Sequence, residues 1–202
     1  MRRGGYRKSE TSQQQILEAA VRTIAAKGLA DSSVQDIAAA AGVSKGVVHY
    51  HFESKDELIA KVVILACTVM AERVRAAFLE PGTAAERMRR AITELWFVRR
   101  SGVPEIRVIM EAMTVAVHDP ALHATIGAAL RTSREQVVQV GFTNLEEMGL
   151  APRFAPDTMA RLLLGALDGL ALHQLFDPMP PESEAELLEA AERIALSLFR
   201  ER

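Results

Sequence analysis

The chain has 202 residues, 49% of them apolar and only 5% aromatic, with a single cysteine and a net charge of −2. That is enough chain for one medium domain or two small ones, each with a real core. The charge excludes a nucleic-acid binder that works by bulk positive charge. The lone Cys67 excludes an intrachain disulfide framework or a cysteine metal centre and reads as a small buried apolar residue.

Alanine and leucine dominate and β-branched runs are rare, which predicts an all-α fold. The chain shows no secretory signal and no apolar run of 18 or more residues, so a cytoplasmic protein without membrane contact is expected. Residues 1–9 hold Arg2, Arg3, Arg7 and Lys8 and no acid, leaving the rest of the chain at −6. Residues 1–10 therefore read as a basic, disordered arm of the kind that reaches into a minor groove.

Helix one is expected over 11–27, capped by Thr11, with Ile16, Leu17, Ala20, Val21, Ile24 and Ala25 on one face and Gly28 as its stop. Asp31, Ser32 and Ser33 follow as N-cap residues, with Ser32 and Gln35 as a capping box for a helix running to about residue 40. Gly42 and Val43 make a sharp turn where a Cβ is costly. Ser44 then caps a short helix over 44–50. Val34, Ile37, Val43, Val48 and Phe52 read as core. Ser44, Lys45, Gly46, His49 and Tyr50 lie between the inward positions. Two short helices and one sharp turn in this arrangement form the helix-turn-helix pattern, whose second helix lies in the major groove of DNA.

Ser54 and Glu57 are expected to cap a fourth helix that runs to about Leu79 and ties the first 50 residues to the rest. Pro81 and Gly82 break the chain. Further helices are expected over 84–99, 104–117, 121–148, 157–175 and 183–200, separated by proline and glycine breakers. The organisation predicted is a domain over 1–53 and a larger helical domain over 54–202.

The stretch from Ile16 to Leu58 carries a family resemblance. Its markers are Ile16-Leu17-Glu18-Ala19-Ala20, Gly28, Ser32 to Ala38, Ala41 to Gly46, His49-Tyr50-His51-Phe52 and Ser54 to Leu58. At this spacing they resemble the tetracycline-repressor (TetR) family. The resemblance implies a dimeric, all-helical regulator that binds operator DNA as a repressor and leaves it on binding a small-molecule effector. It also implies that Ser33, His49 and Lys55 meet phosphates. Ser44, through its hydroxyl and the free N–H groups of the helix start, meets phosphate or a base edge. Lys45 and Tyr50 project toward bases or backbone, Gly46 permits close approach, and Gln35 reaches the backbone. Members often carry tyrosine where this chain has His49, which leaves contact details open.

In the C-terminal part, Leu162 to Leu170 is apolar nearly all round and is expected to be buried on more than one side. Gly165 and Gly169 clear a strip for close helix approach. With Leu162, Asp168, Leu172, Leu187, Ile194 and Leu198 they resemble the family's dimer interface, a four-helix bundle. Asp168 requires a partner there, a cross-subunit or backbone hydrogen bond. Met88, Ile92, Trp96, Met110, Met113, Thr114, Phe142 and His173 are candidate effector contacts, because methionine and aromatics adapt to apolar ligands. Trp96 leads, while Arg99 and Arg100 are expected to face solvent. His118 and His123 lack a third ligand nearby, so no metal or cofactor is expected. No nucleophile motif, phosphate loop or carboxylate pair supports catalysis. A helical binding protein that does not read DNA is the alternative.

Overall fold

A computed structural model describes residues 3–202, with side chains from residue 11 onward. Among the described residues are nine helices and one two-stranded sheet. The chain forms two compact units. Unit 1 is Met1–Val69 with Val103–Leu130, and unit 2 is Met70–Gly102 with Arg131–Arg202. A boundary at residue 53 leaves all of the fourth helix, and residues 103–130, in the second domain; the packing groups 54–69 and 103–130 with the first.

In unit 1, α1 (Arg3–Lys27) is followed by α2 (Val34–Ala41) and α3 (Lys45–His51). The helical backbone begins at Arg3, so residues 3–10 extend α1 instead of forming a separate arm, and Thr11 lies inside the helix. The groove-contact reading of Arg2, Arg3, Arg7 and Lys8 lies outside the described residues. Ile16, Ala19, Ala20 and Ile24 of α1 are buried, as are Ile37 and Ala38 of α2, Val48 of α3 and Phe52. Burying an isoleucine or phenylalanine side chain contributes about 1.5–3 kcal/mol each. Val34 and Val43, expected in the core, are half-buried. α6 (Pro104–Ala116) packs on α1 through a face that includes Ile106, Ile109 and Ala112.

The caps explain the short helices. Ser33, not Ser32, is the N-cap of α2: its hydroxyl accepts from the Asp36 N–H, and the Asp36 carboxylate accepts from the Ser33 N–H. Ser32 is buried and donates to the Gly28 carbonyl at 2.6 Å. The box is thus shifted one residue from the expected Ser32 and Gln35. Gly42 ends α2 at φ 69°, a left-handed value disfavoured for any residue with a Cβ. Ser44 caps α3 by accepting from Val47 N.

α4 (Lys55–Leu79) opens with Ser54 accepting from the Glu57 N–H at 3.0 Å. The Glu57 carboxylate reaches back to the Glu53 N–H at 2.8 Å. Cys67, within α4, is buried, and desolvation pushes its thiol up to about 11. α7 (Pro120–Glu147), like α4, runs through both units.

Unit 2 also holds α5 (Ala84–Arg100), α8 (Pro156–Phe176) and α9 (Pro181–Ser197). Its core includes Phe78, Ile92, Trp96, Leu145, Met159, Leu167 and Phe199. The all-α expectation holds with one addition: β1 (Leu150–Pro152) pairs antiparallel with β2 (Phe199–Glu201). The last helix therefore ends at Ser197, and the chain turns back to place Phe199 in the core.

Candidate nucleic-acid interface and effector cavity

α3 has seven residues and turns about 100° at each. Taking Lys45 as zero, His49, Gly46 and Tyr50 fall within about 140°, while Val47, His51 and Val48 occupy the opposite arc. Burial follows that division. Lys45, Gly46, His49 and Tyr50 are exposed; Val48 is buried, and Val47 and His51 are half-buried. Tyr50 is 79% exposed and meets the His51 ring edge-on at 5.1 Å between centroids.

Ser33, Gln35 and Ser44 are also exposed. Lys55 is half-buried, with Nζ 3.5 Å from the Leu29 carbonyl, so it is partly engaged within the chain. Nothing within the chain requires glycine at 46: a Cβ there meets only Ser44 Oγ, at 3.7 Å. Asp36 carries the negative charge at the start of α2. The Lys27 ammonium at 2.6 Å, helped by Ser33, holds its carboxyl well below the usual range. Charge around the Ser33 hydroxyl is thereby balanced inside the chain.

A cavity of about 70 Å³ lies within unit 2. Its walls come from α4 (Val74, Phe78), α5 (Met88, Ile92, Leu95), α7 (Val137, Gly141, Phe142, Leu145), α8 (Leu163, Leu164) and β2 (Phe199). Of the eight sequence candidates, Met88, Ile92 and Phe142 line it. Trp96 is buried at 2% exposure but does not line it; its Nε1 donates to Glu184 Oε1 at 2.7 Å. Met110, Met113 and Thr114 lie on the exposed face of α6, in unit 1, and His173 is exposed on α8. Val74 and Phe78, four apart on α4, extend a periodicity visible in the sequence. Phe199 carries no such signal, because its place depends on β2 pairing with β1.

On α8, Leu167 and Ala171 are buried, whereas Leu162, Gly165, Gly169 and Leu172 are exposed. Burial on more than one side does not hold within a single chain. On α9, Ile194 is exposed and Leu187 half-buried, but Leu198 belongs to the chain's own core. Asp168 has a partner within the chain, an arginine side chain and not a backbone group: its Oδ1 accepts from Arg99 Nε at 2.6 Å. Arg99 is correspondingly buried to 10% exposure instead of facing solvent, and Arg100 pairs with Glu184 at 2.8 Å.

Two family models match this chain. Residues 16–62 match "Bacterial regulatory proteins, tetR family", and residues 84–200 match "BetI-type transcriptional repressor, C-terminal". The chain belongs to the TetR family. TetR-family members are ligand-responsive DNA-binding transcriptional regulators, and this chain is one of them. It is 25% identical over 171 residues to the transcriptional regulator PksA of Bacillus subtilis strain 168, covering 84% of this chain and 82% of PksA. It is 26% identical to the regulator CymR of Pseudomonas putida, covering all of this chain and 95% of CymR. Among solved structures, a transcriptional regulator from Rhodococcus sp. Rha1 superposes with a TM-score of 0.70 at 27% identity, covering 92% of this chain and 96% of that one. A TetR-family regulator from Marinobacter aquaeolei VT8 shares the fold, with a TM-score of 0.67 at 18% identity and coverage of 98% and 100%. As TetR members do, the chain carries its DNA-binding motif ahead of a helical C-terminal region. Among the described residues no helix is long and apolar enough to cross a membrane.

Proposed function

We propose that the protein is a cytoplasmic homodimeric repressor that binds operator DNA through α3 and leaves it when a small molecule occupies the unit 2 cavity. The observation that carries this reading is the exposed arc of α3, Lys45, Gly46, His49 and Tyr50, beside the capping hydroxyls of Ser33 and Ser44. Lys45 and Tyr50 contact base edges or backbone, and Gly46 lets the helix approach closely. Ser33, Gln35, Ser44, His49 and Lys55 contact the backbone. Residues 1–53 carry DNA binding; effector binding and dimerisation belong to 54–202.

Two copies meet through α8 and α9, with Leu162, Gly165, Gly169, Leu172 and Ile194 as the shared face. Exposed leucines beside two glycines whose missing Cβ atoms would meet nothing within 4 Å support this, since a second helix can pack closely there. A dimer reads half-sites about one helical turn, ~34 Å, apart or a multiple of it. Effector binding shifts α4, changes the separation of the two α3 helices and loses one half-site. Effector and operator therefore weaken each other reciprocally. The role is binding, not catalysis.

Fluorescence anisotropy against the DNA upstream of the protein's own gene, and against a selected operator pool, tests the reading. A specific complex is expected whose affinity falls steeply between 50 and 200 mM salt, as phosphate contacts require. Tyr50→Ala loses affinity at least tenfold while remaining folded, and Leu172→Glu gives a monomer by light scattering. Absence of any specific complex, or wild-type affinity in folded Tyr50→Ala, refutes the assignment of α3.

A further inference from the structure

The walls of the unit 2 cavity define the chemistry it accepts. No aspartate, glutamate, histidine, hydroxyl or amide side chain lines it. The one charged lining residue, Arg75, is half exposed and donates from Nε to Glu72 Oε2 at 2.9 Å. A cation entering the cavity finds no carboxylate. An anion meets only this guanidinium, which is half exposed to solvent and shared with Glu72. Either ion must give up much of its water against walls that are otherwise apolar, which is costly. An uncharged apolar molecule gives up no charge hydration on entry and gains contact with Phe78, Met88, Ile92 and Phe142.

Gly141 adds an independent observation. It lies inside α7, where glycine costs about 1 kcal/mol relative to alanine. It lines the cavity, and a Cβ built on it meets no atom within 4 Å. Neither crowding nor a positive φ requires glycine there. The missing side chain preserves room.

We propose that the cavity binds an uncharged, apolar small molecule and that Gly141 sets the size limit of that ligand. The proposal rests on the effector reading of this cavity only for its regulatory consequence, not for binding itself. At about 70 Å³ the room is roughly half of the 150 Å³ of an apolar cavity that takes benzene. The ligand is therefore compact, or one end of a longer molecule, and flexible Met88 adjusts around it.

Calorimetric titration of the full-length protein with toluene, benzoate and benzylammonium, three molecules of similar shape and different charge, tests this. Toluene is expected to bind at least tenfold more tightly than either ion. Gly141→Leu is expected to weaken toluene binding at least tenfold with its far-UV circular dichroism and cooperative unfolding retained, and Gly141→Ala to fall between. No detectable toluene binding, an ion binding within tenfold of toluene, or wild-type toluene affinity in both variants overturns the proposal. Operator anisotropy with saturating toluene separates the two readings. Toluene binding that leaves the operator complex intact upholds the ligand class and sinks the effector role.

Discussion

Glu111 holds the turn that leads into the DNA-binding helices, and removing it gives a sharp prediction. α1 ends at Lys27, and Gly28 turns the chain at φ 87° while its N–H bonds back to Ile24 at 2.8 Å. The next donor, Leu29 N–H, has no helical partner; it donates to Glu111 Oε2 on α6 at 2.6 Å. The Leu29 side chain is buried, and its carbonyl faces Lys55 Nζ. The two peptide groups that flank Leu29 are thus held by α6 on one side and by the first residue of α4 on the other. A hydrogen bond to a charged group contributes about 1.5–3 kcal/mol net. Glu111 is exposed, so water replaces part of that, and Glu111→Ala should cost about 1–2 kcal/mol. Glu111→Gln keeps an acceptor oxygen without the charge and should cost about half as much. Hydrogen exchange at the Leu29 amide reads the bond directly: loss of 1–2 kcal/mol corresponds to an increase of about 5–30-fold. Urea unfolding of unit 1 should fall by the same free energy. Leu29 exchange within twofold of wild type in Glu111→Ala would refute the reasoning.

Acid should destabilise the fold through three carboxylates. Lys27 with Ser33 holds Asp36 low, the Thr83 N–H and hydroxyl hold Glu86 low, and Arg161 with Arg134 holds Asp157 low. A depressed folded-state pKa gives stability that is fully present above the unfolded value, about 4, and is lost as pH falls below it through the folded value. Chemical denaturation from pH 7 to pH 2 should show that decline below about pH 4, and Asp36→Asn should flatten it. Arg89 makes a two-pronged bond to Glu192, at 2.8 and 3.0 Å, and Glu192 is nearly buried. Arg89→Ala should lower the urea midpoint, by less than loss of a fully buried pair would because Arg89 itself is exposed, and Arg89→Lys should recover only part. Equal stabilities for wild type and Arg89→Ala in urea would show that solvent replaces the pair.

Most of the helical plan was readable because apolar period and breakers agree. Pro104, Pro120 and Pro156 each stand at the first position of a helix, where the missing N–H costs nothing. The misreadings occur where neighbouring residues compete for one role. Ser32 and Ser33 both suit an N-cap, and Ser33 wins because Asp36, three residues on, returns the bond while Ser32 closes on Gly28. Asp168 required a partner, but only packing shows that Arg99, 69 residues away, supplies it. The β1–β2 pair was invisible, since three residues carry no period.

The cavity shows why side-chain chemistry alone selects poor lining candidates. Met88, Ile92 and Leu95 fall at i, i+4 and i+7 on α5 and share one face. Trp96 is one residue further, turned about 100° from Leu95, and its indole meets Glu184 of α9 instead. Its size suited a wall, but its direction did not. Gly46, Gly141, Gly165 and Gly169 point the opposite way. Gly141, Gly165 and Gly169 interrupt helix interiors at a cost of about 1 kcal/mol against alanine, Gly46 stands in the first turn of α3, and at none does a Cβ meet anything closer than 3.7 Å. These four positions leave room that the fold itself does not use. On this reading they stand where DNA, the ligand and the second copy are expected. Alanine at each should therefore leave the isolated chain as stable or more so, while weakening only the interaction for which that position is kept clear.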